Sequence, residues 1–272
     1  MNRVLRPFLF LLVTLLPGAC ANLNFYSDED LEPLSLQAYE EATKEHGEVT
    51  SGRDYEMVQR VAKKIAAASE ENFQWQARLL KADDTPNAFC LPNGRIAIYT
   101  GILPITQNED CLAIVMGHEV AHAVLRHGGK RMTQGTLTAA GLAALEAGLG
   151  MTEMSKDAKN GVMAALGMGA QVTVTLPFSR DNETEADVEG LRYAIRAGYD
   201  PNEAPKLWER MAKLSGGNST PVWLSTHPGS EARAQKLREM IPTLVEQEKN
   251  WRPKAPPGTT PTKSVQPGAI GR

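Results

Sequence analysis

The chain has no block of basic residues, no hydrophobic run long enough to span a membrane, and only three cysteines. Each shortage excludes something. Without clustered lysine and arginine, and with a formal net charge of -3, nothing in it favours a nucleic-acid backbone. The clearest apolar run, Phe8 to Leu16, is far shorter than the roughly 20 residues of a transmembrane helix. It follows a short basic segment carrying Arg3 and Arg6, so residues 1–19 read as a bacterial-type secretory signal. A second candidate, the Ala- and Gly-rich stretch after Thr136, carries Glu146 and leads into the charged segment Glu153 to Lys159. It reads as a packed helical hairpin or a lid over residues 133–170, not as a span. No internal repeat is present, which excludes a solenoid.

Export changes how the cysteines are read. Pro17-Gly18-Ala19-Cys20 resembles a lipobox, in which Cys20 is acylated, while Ala19-Cys20-Ala21 also fits an A-x-A cleavage pattern that discards Cys20. We take acylation as the expectation, giving a periplasmic protein anchored by lipid to the outer membrane. Cys90 and Cys111 then remain as an even pair that an oxidising compartment allows to form a disulfide.

What is there is a mainly helical α+β chain. Residues 20–50 form a polar N-terminal segment with a helix-compatible stretch, 51–249 a single domain, and 250–272 a proline-rich tail with little to bury. Val58, Val61 and Ile65 recur at helical spacing, so a helix is expected from Tyr55 to Ser69. Asn93-Gly94 between two β-compatible runs predicts a hairpin. Ile96 and Ile98 alternate as on a half-buried strand, and the run Arg95 to Thr100 is a candidate for binding an extended peptide by strand addition. An apolar helix should then run from Asn108 to His127 and stop at Gly128-Gly129. Further helices are expected over about 181–197, 201–214 and 230–249.

That apolar helix carries His118-Glu119-Val120-Ala121-His122. Residues four apart are rotated by about 40° on a helix, so His118 and His122 can hold one Zn²⁺. Glu119, about 100° around from His118, can reach a water activated by that metal and serve as general base in peptide hydrolysis. Buried polar side chains on a core helix are costly unless partnered, which favours a metal over coincidence. His127 projects about 140° from His122 on a continuous helix and is set aside as a helix-terminus histidine. The extended pattern H-E-x-x-H-x-x-G-x-x-H fails, since Leu125 and Gly128 stand where Gly and His are required. A catalytic zinc needs a third ligand. Glu183, Glu185, Asp187 and Glu189 crowd one downstream helix, and spacing alone does not choose among them.

Ser179-Arg180-x-x-Glu183-x-x-Ala186-Asp187 resembles the signature of the HtpX and CAAX-prenyl-protease-like family of gluzincin zinc metallopeptidases. So do Asn87 to Leu103, Ala197 to Pro201, and Ser225 to Arg233. Within that family the chain looks most like the soluble, exported BepA, LoiP and Oma types. The resemblance implies a zincin-like fold with a small sheet beside the H-E-x-x-H helix, one Zn²⁺ per chain and Glu183 as third ligand. It implies that Asp187 hydrogen-bonds a zinc-bound histidine. It also implies that the His227-Pro228 segment packs near the active site, where His227 is expected either to donate to the oxyanion or to sit on the zinc in a closed form, with Arg233 supporting the same site. The expected function is a metalloendopeptidase that degrades misfolded or unassembled envelope polypeptides. The alternative is a chaperone-like binding protein with a structural zinc, which normally takes four protein ligands and has no need of Glu119.

Overall fold

The computed structural model describes residues 23–148, 178–215, 222–227 and 231–253. In chain order the elements are α1 (Asp28–His46), β1 (Glu48–Val49), α2 (Arg53–Ser69), β2 (Gln76–Leu80), β3 (Ala88–Leu91), β4 (Arg95–Tyr99), α3 (Leu103–Thr106), α4 (Glu109–Val124), α5 (His127–Gly148), α6 (Arg180–Arg196), α7 (Glu203–Ser215), α8 (Val222–Thr226) and α9 (Glu231–Glu248). The architecture is the expected mainly helical α+β, with one small sheet. The signal segment with Cys20, the second half of the 133–170 region and the proline-rich tail lie outside the described residues.

The sheet order is β1-β2-β4-β3, with β2 and β4 parallel and the other neighbours antiparallel. The Asn93-Gly94 hairpin forms as expected. Both residues have positive φ, 65° and 85°, the combination a tight turn of matching twist requires. The strand-addition expectation for Arg95–Thr100 is overturned, because β4 is paired on both sides. The edges of the described sheet are β3 and the two-residue β1. Nor is β4 half-buried. Ile96 and Ile98 face the main core with α2 and α4, while Ala97 and Tyr99 face a second cluster with Ala38 and Tyr39 of α1. The polar N-terminal segment therefore covers the sheet's other face. Glu32 of α1 pairs with Arg95 at 2.6 Å, and the Tyr39 hydroxyl donates to the Ile96 carbonyl at 2.9 Å.

Helix α4 is apolar nearly all round and is buried all round, as that pattern demands. It packs against α6, α2 and β3. Asn108 caps its N-terminus, accepting from the Cys111 amide at 2.7 Å. Its C-terminus departs from expectation. The helix stops at Val124 because Arg126 turns the chain with φ 57°, and Gly128-Gly129 lie inside the first turn of α5. The disulfide that the even cysteine count allowed does not form: Cys90 and Cys111 are free. Cys111 is buried at the start of α4, where its sulfur accepts from Arg210 at 2.9 Å, while Cys90 lies on β3.

Near its end the C-terminal helix is fastened to α6 through the Glu248 carboxylate. Glu248 accepts from Arg192 at 2.5 Å and from Arg196 at 2.7 Å. Burial alone would raise the Glu248 carboxyl, but the two guanidiniums outweigh it and hold it below the usual range. Its stabilisation is thus complete above the unfolded-state pKa and is lost as pH falls through the lower folded one. Glu248→Gln should lower stability by about 1–2 kcal/mol at neutral pH in urea denaturation. The gap to wild type should close on acidification; a gap independent of pH would contradict this reading.

Candidate metal centre

Four elements converge on one point. Helix α4 supplies His118, Glu119 and His122, and α6 supplies Glu183 and Asp187 one turn apart. His227 follows the short α8, and Arg233 lies on α9. All seven side chains are enclosed, each below a tenth exposed. His118, His122, Glu183 and His227 each present one donor atom, all within 4.8 Å of one another.

The spacings fit a small tetrahedral cation. The Nε2 atoms of His118 and His122 are 3.0 Å apart, and His227 Nδ1 is 3.2 Å from His118 Nε2. Glu183 Oε1 lies 3.3 Å from His122 Nε2 and 3.0 Å from His227 Nδ1. Donors at 2.0–2.1 Å from a tetrahedral Zn²⁺ are about 3.3 Å from each other. The charge states fit as well. Burial pushes His122 well below its ordinary pKa, leaving it neutral. Burial also acts to raise Glu183, but hydrogen bonds from His122 and His227 and the charge of Arg233 hold it far below the carboxylate range. Neutral imidazole with ionised carboxylate is the state in which these groups bind metal.

A surrounding layer fixes the donors. Arg233 donates from Nη1 to Glu183 Oε2 at 2.5 Å, which leaves Oε1 turned toward the histidines. It also makes a two-point contact with Asp187, at 2.5 and 2.7 Å, and stacks over Trp208 with 3.7 Å to the ring centre. Burial would raise the Asp187 carboxyl, but the charge of Arg233 keeps it low. Asp187 Oδ1 lies 3.2 Å from His118 Nδ1, where it can accept from that ring. Glu119 stays off the donor set and accepts from Trp223 Nε1 at 2.6 Å, with His227 Nε2 3.5 Å away. Among the acidic residues left open by spacing, Glu183 alone joins the donors. Glu185 faces His127, and Glu189 pairs with Arg192 at 3.4 Å.

Three contributors had escaped sequence reasoning. Trp223 holds Glu119, and the helical bond from His227 N to Trp223 O at 2.9 Å puts both on one face. The i, i+4 spacing of Trp223 and His227 was the available signal. Phe178 stacks on His122 with ring centres 4.0 Å apart, and nothing in the sequence marked it. His127 was expected to face away; it instead lies buried with Nδ1 2.9 Å from His122 Nδ1. The helical-wheel angle failed because the chain breaks at Arg126 and His127 opens a new helix. Burial lowers its pKa to about 4.

The centre opens on a cleft. Glu119, His122 and His227 line it together with Leu31 and Leu34 of α1, β3, Arg131 and Met132 of α5, and Phe178. An extended chain entering this cleft would meet the donor cluster and the edge of β3 that no described strand pairs with.

The family profile described as Peptidase family M48 matches residues 51–241. The chain is 36% identical over 223 residues to the "Mitochondrial metalloendopeptidase OMA1" of Schizosaccharomyces pombe, covering 77% of this chain and 60% of that protein. It is 30% identical over 230 residues to the "Metalloendopeptidase OMA1, mitochondrial" of Danio rerio, covering 80% and 47%. A "Putative beta-barrel assembly-enhancing protease" of Vibrio cholerae is 33% identical over 159 residues, covering 58% and 33%. The chain thus spans between a third and three fifths of the length of these curated relatives.

The approach of α4 to α6 is limited by two glycines. A Cβ on Gly190 would sit 2.6 Å from the His118 nitrogen and 2.7 Å from the Gly117 carbonyl carbon, both backbone atoms that cannot swing aside. Gly190→Ala should therefore push Glu183 away from His118 and His122. A loss of about 1–3 kcal/mol in stability and weaker zinc retention in chelator competition are expected. Wild-type values for both would show that the crossing tolerates a methyl group.

Proposed function

The chain belongs to Peptidase family M48, and from that premise we propose that it is a zinc metalloendopeptidase whose centre is His118, His122 and Glu183. The observation that carries the reading is the buried donor set with a fifth group, Glu119, beside it and outside it. A purely structural zinc gives such a carboxylate no task. When bound, the ion supplies Lewis-acid polarisation of the scissile carbonyl and makes water a stronger acid.

The chain's own residues do the rest. Glu119 takes the proton of the attacking water at its carboxylate and returns it to the leaving amine. Trp223 holds that carboxylate by its Nε1–H. Asp187 and Arg233 keep His118 and Glu183 in place. His227 supplies the fourth donor of a resting, closed form, in keeping with its 3.0 Å approach to Glu183. The substrate is an extended polypeptide pairing with the edge of β3, where main-chain bonds demand little of the sequence. We further propose that the clients are misfolded or unassembled envelope proteins, met in the periplasm by an enzyme anchored through Cys20. The beta-barrel assembly-enhancing relative supports that setting, while the OMA1 relatives, which cover more of the chain, are named mitochondrial. No helix of the described residues is long and apolar enough to cross a membrane.

Glu119→Gln should retain zinc while cleavage of unfolded casein falls by about 10²–10⁴-fold. Equal cleavage by both proteins would leave a chaperone-like zinc protein as the better reading. In the same assay His227→Ala should raise basal cleavage. A fall would make His227 an oxyanion donor, and no change would remove both roles. Hydrogen exchange on the Glu119→Gln protein tests the strand addition: substrate should slow exchange at residues 88–91. Unaltered exchange there would rule it out.

A further inference from the structure

His127 is completely buried, opens α5 and meets the metal centre from behind. Its Nδ1 lies 2.9 Å from His122 Nδ1, and its Nε2 lies 3.0 Å from Glu185 Oε2. The inference rests on reading His118, His122 and Glu183 as metal ligands, and from there the hydrogen positions have no freedom. His122 turns Nε2 toward the donor cluster. A neutral imidazole that gives Nε2 to a metal carries its hydrogen on Nδ1. That hydrogen points at His127 Nδ1, which must accept it. Neutral His127 then bears its own hydrogen on Nε2 and donates to Glu185. A doubly protonated His127 would set two N–H donors head to head at this distance.

We propose that His127 is a positioning residue, fixing the tautomer and ring angle of His122 through a relay that ends on Glu185. The two metal-site histidines are then held by equivalent means. His118 has a carboxylate directly at Nδ1, Asp187 at 3.2 Å. His122 has a carboxylate one imidazole removed. Glu185 is half-exposed and in turn lies 3.7 Å from Lys130 Nζ, on α5 like His127. The relay joins α4, α5 and α6, so the helix that walls the cleft with Arg131 and Met132 is tied to His122 at its first residue.

The test uses the full chain and three variants. His127→Leu removes the acceptor, and His127→Asn keeps an oxygen near the place of Nδ1. Glu185→Ala changes a half-exposed side chain and leaves folding intact. Zinc affinity is read by chelator competition, the geometry by the visible spectrum of the Co²⁺ form, and packing by the melting temperature without metal. His127→Leu should weaken zinc binding by about 10–100-fold and shift the cobalt bands. His127→Asn should stay near wild type in both, although the two variants lose similar melting temperature. Glu185→Ala should move affinity and bands in the direction of His127→Leu. The proposal is overturned by wild-type zinc affinity in His127→Leu or by unshifted properties in Glu185→Ala. Equal losses in His127→Leu and His127→Asn that track the melting temperature would overturn it too. A wild-type protein taking up neither Zn²⁺ nor Co²⁺ would overturn the metal reading and the relay together. Metal uptake with no difference among the variants would overturn the relay alone.

Discussion

Burying charge is the constraint on which the rest of this structure depends. Glu183 and Asp187 are both ionised inside the protein, and one guanidinium, Arg233, bridges them. An uncompensated carboxylate in such a place would be prohibitively costly. The ionised Glu183 beside the histidines suits a dication. Arg233 thereby couples α9 to α6, and through Glu183 to the histidines of α4.

The same economy explains the aromatic lining. Trp208 lies under Arg233, Trp223 beside Glu119, and Phe178 against His122. Rings fill the space around charged groups and keep water out while their edges and faces still interact favourably with them. Water exclusion strengthens each polar contact within the centre. The phenylalanine is placed by the backbone bond from Phe178 N to Thr226 O at 3.1 Å, so the start of α6 and the end of α8 are positioned as a unit.

Much of this was legible beforehand. The i, i+4 histidines with an adjacent glutamate identified half of a site because helix geometry alone puts them together. The hairpin was legible because Asn-Gly tolerates positive φ at both positions. The other half of the site was not. Four acidic residues on one helix look equivalent in one dimension, and only a family signature singled out Glu183. The misreading of His127 has a local cause: a wheel projection assumes an unbroken helix, and Arg126 breaks it. The misreading of Arg95–Thr100 has a global one. Alternation reveals that a strand has two faces, but not that β2 pairs along its second edge or that α1 covers its second face.

The sequence by itself determined the local chemistry: a core helix bearing two histidines and a glutamate, a tight hairpin, and an acidic helix downstream. Those follow from dihedral preferences and periodicity, which act over a few residues. Only the tertiary structure decided which carboxylate meets the histidines, which strands are left as edges and what lies behind His122. The first depends on how closely α4 and α6 cross at Gly117 and Gly190, the second on the strand order of the sheet, and the third on the break at Arg126; the first two are set by contact between segments far apart in the chain.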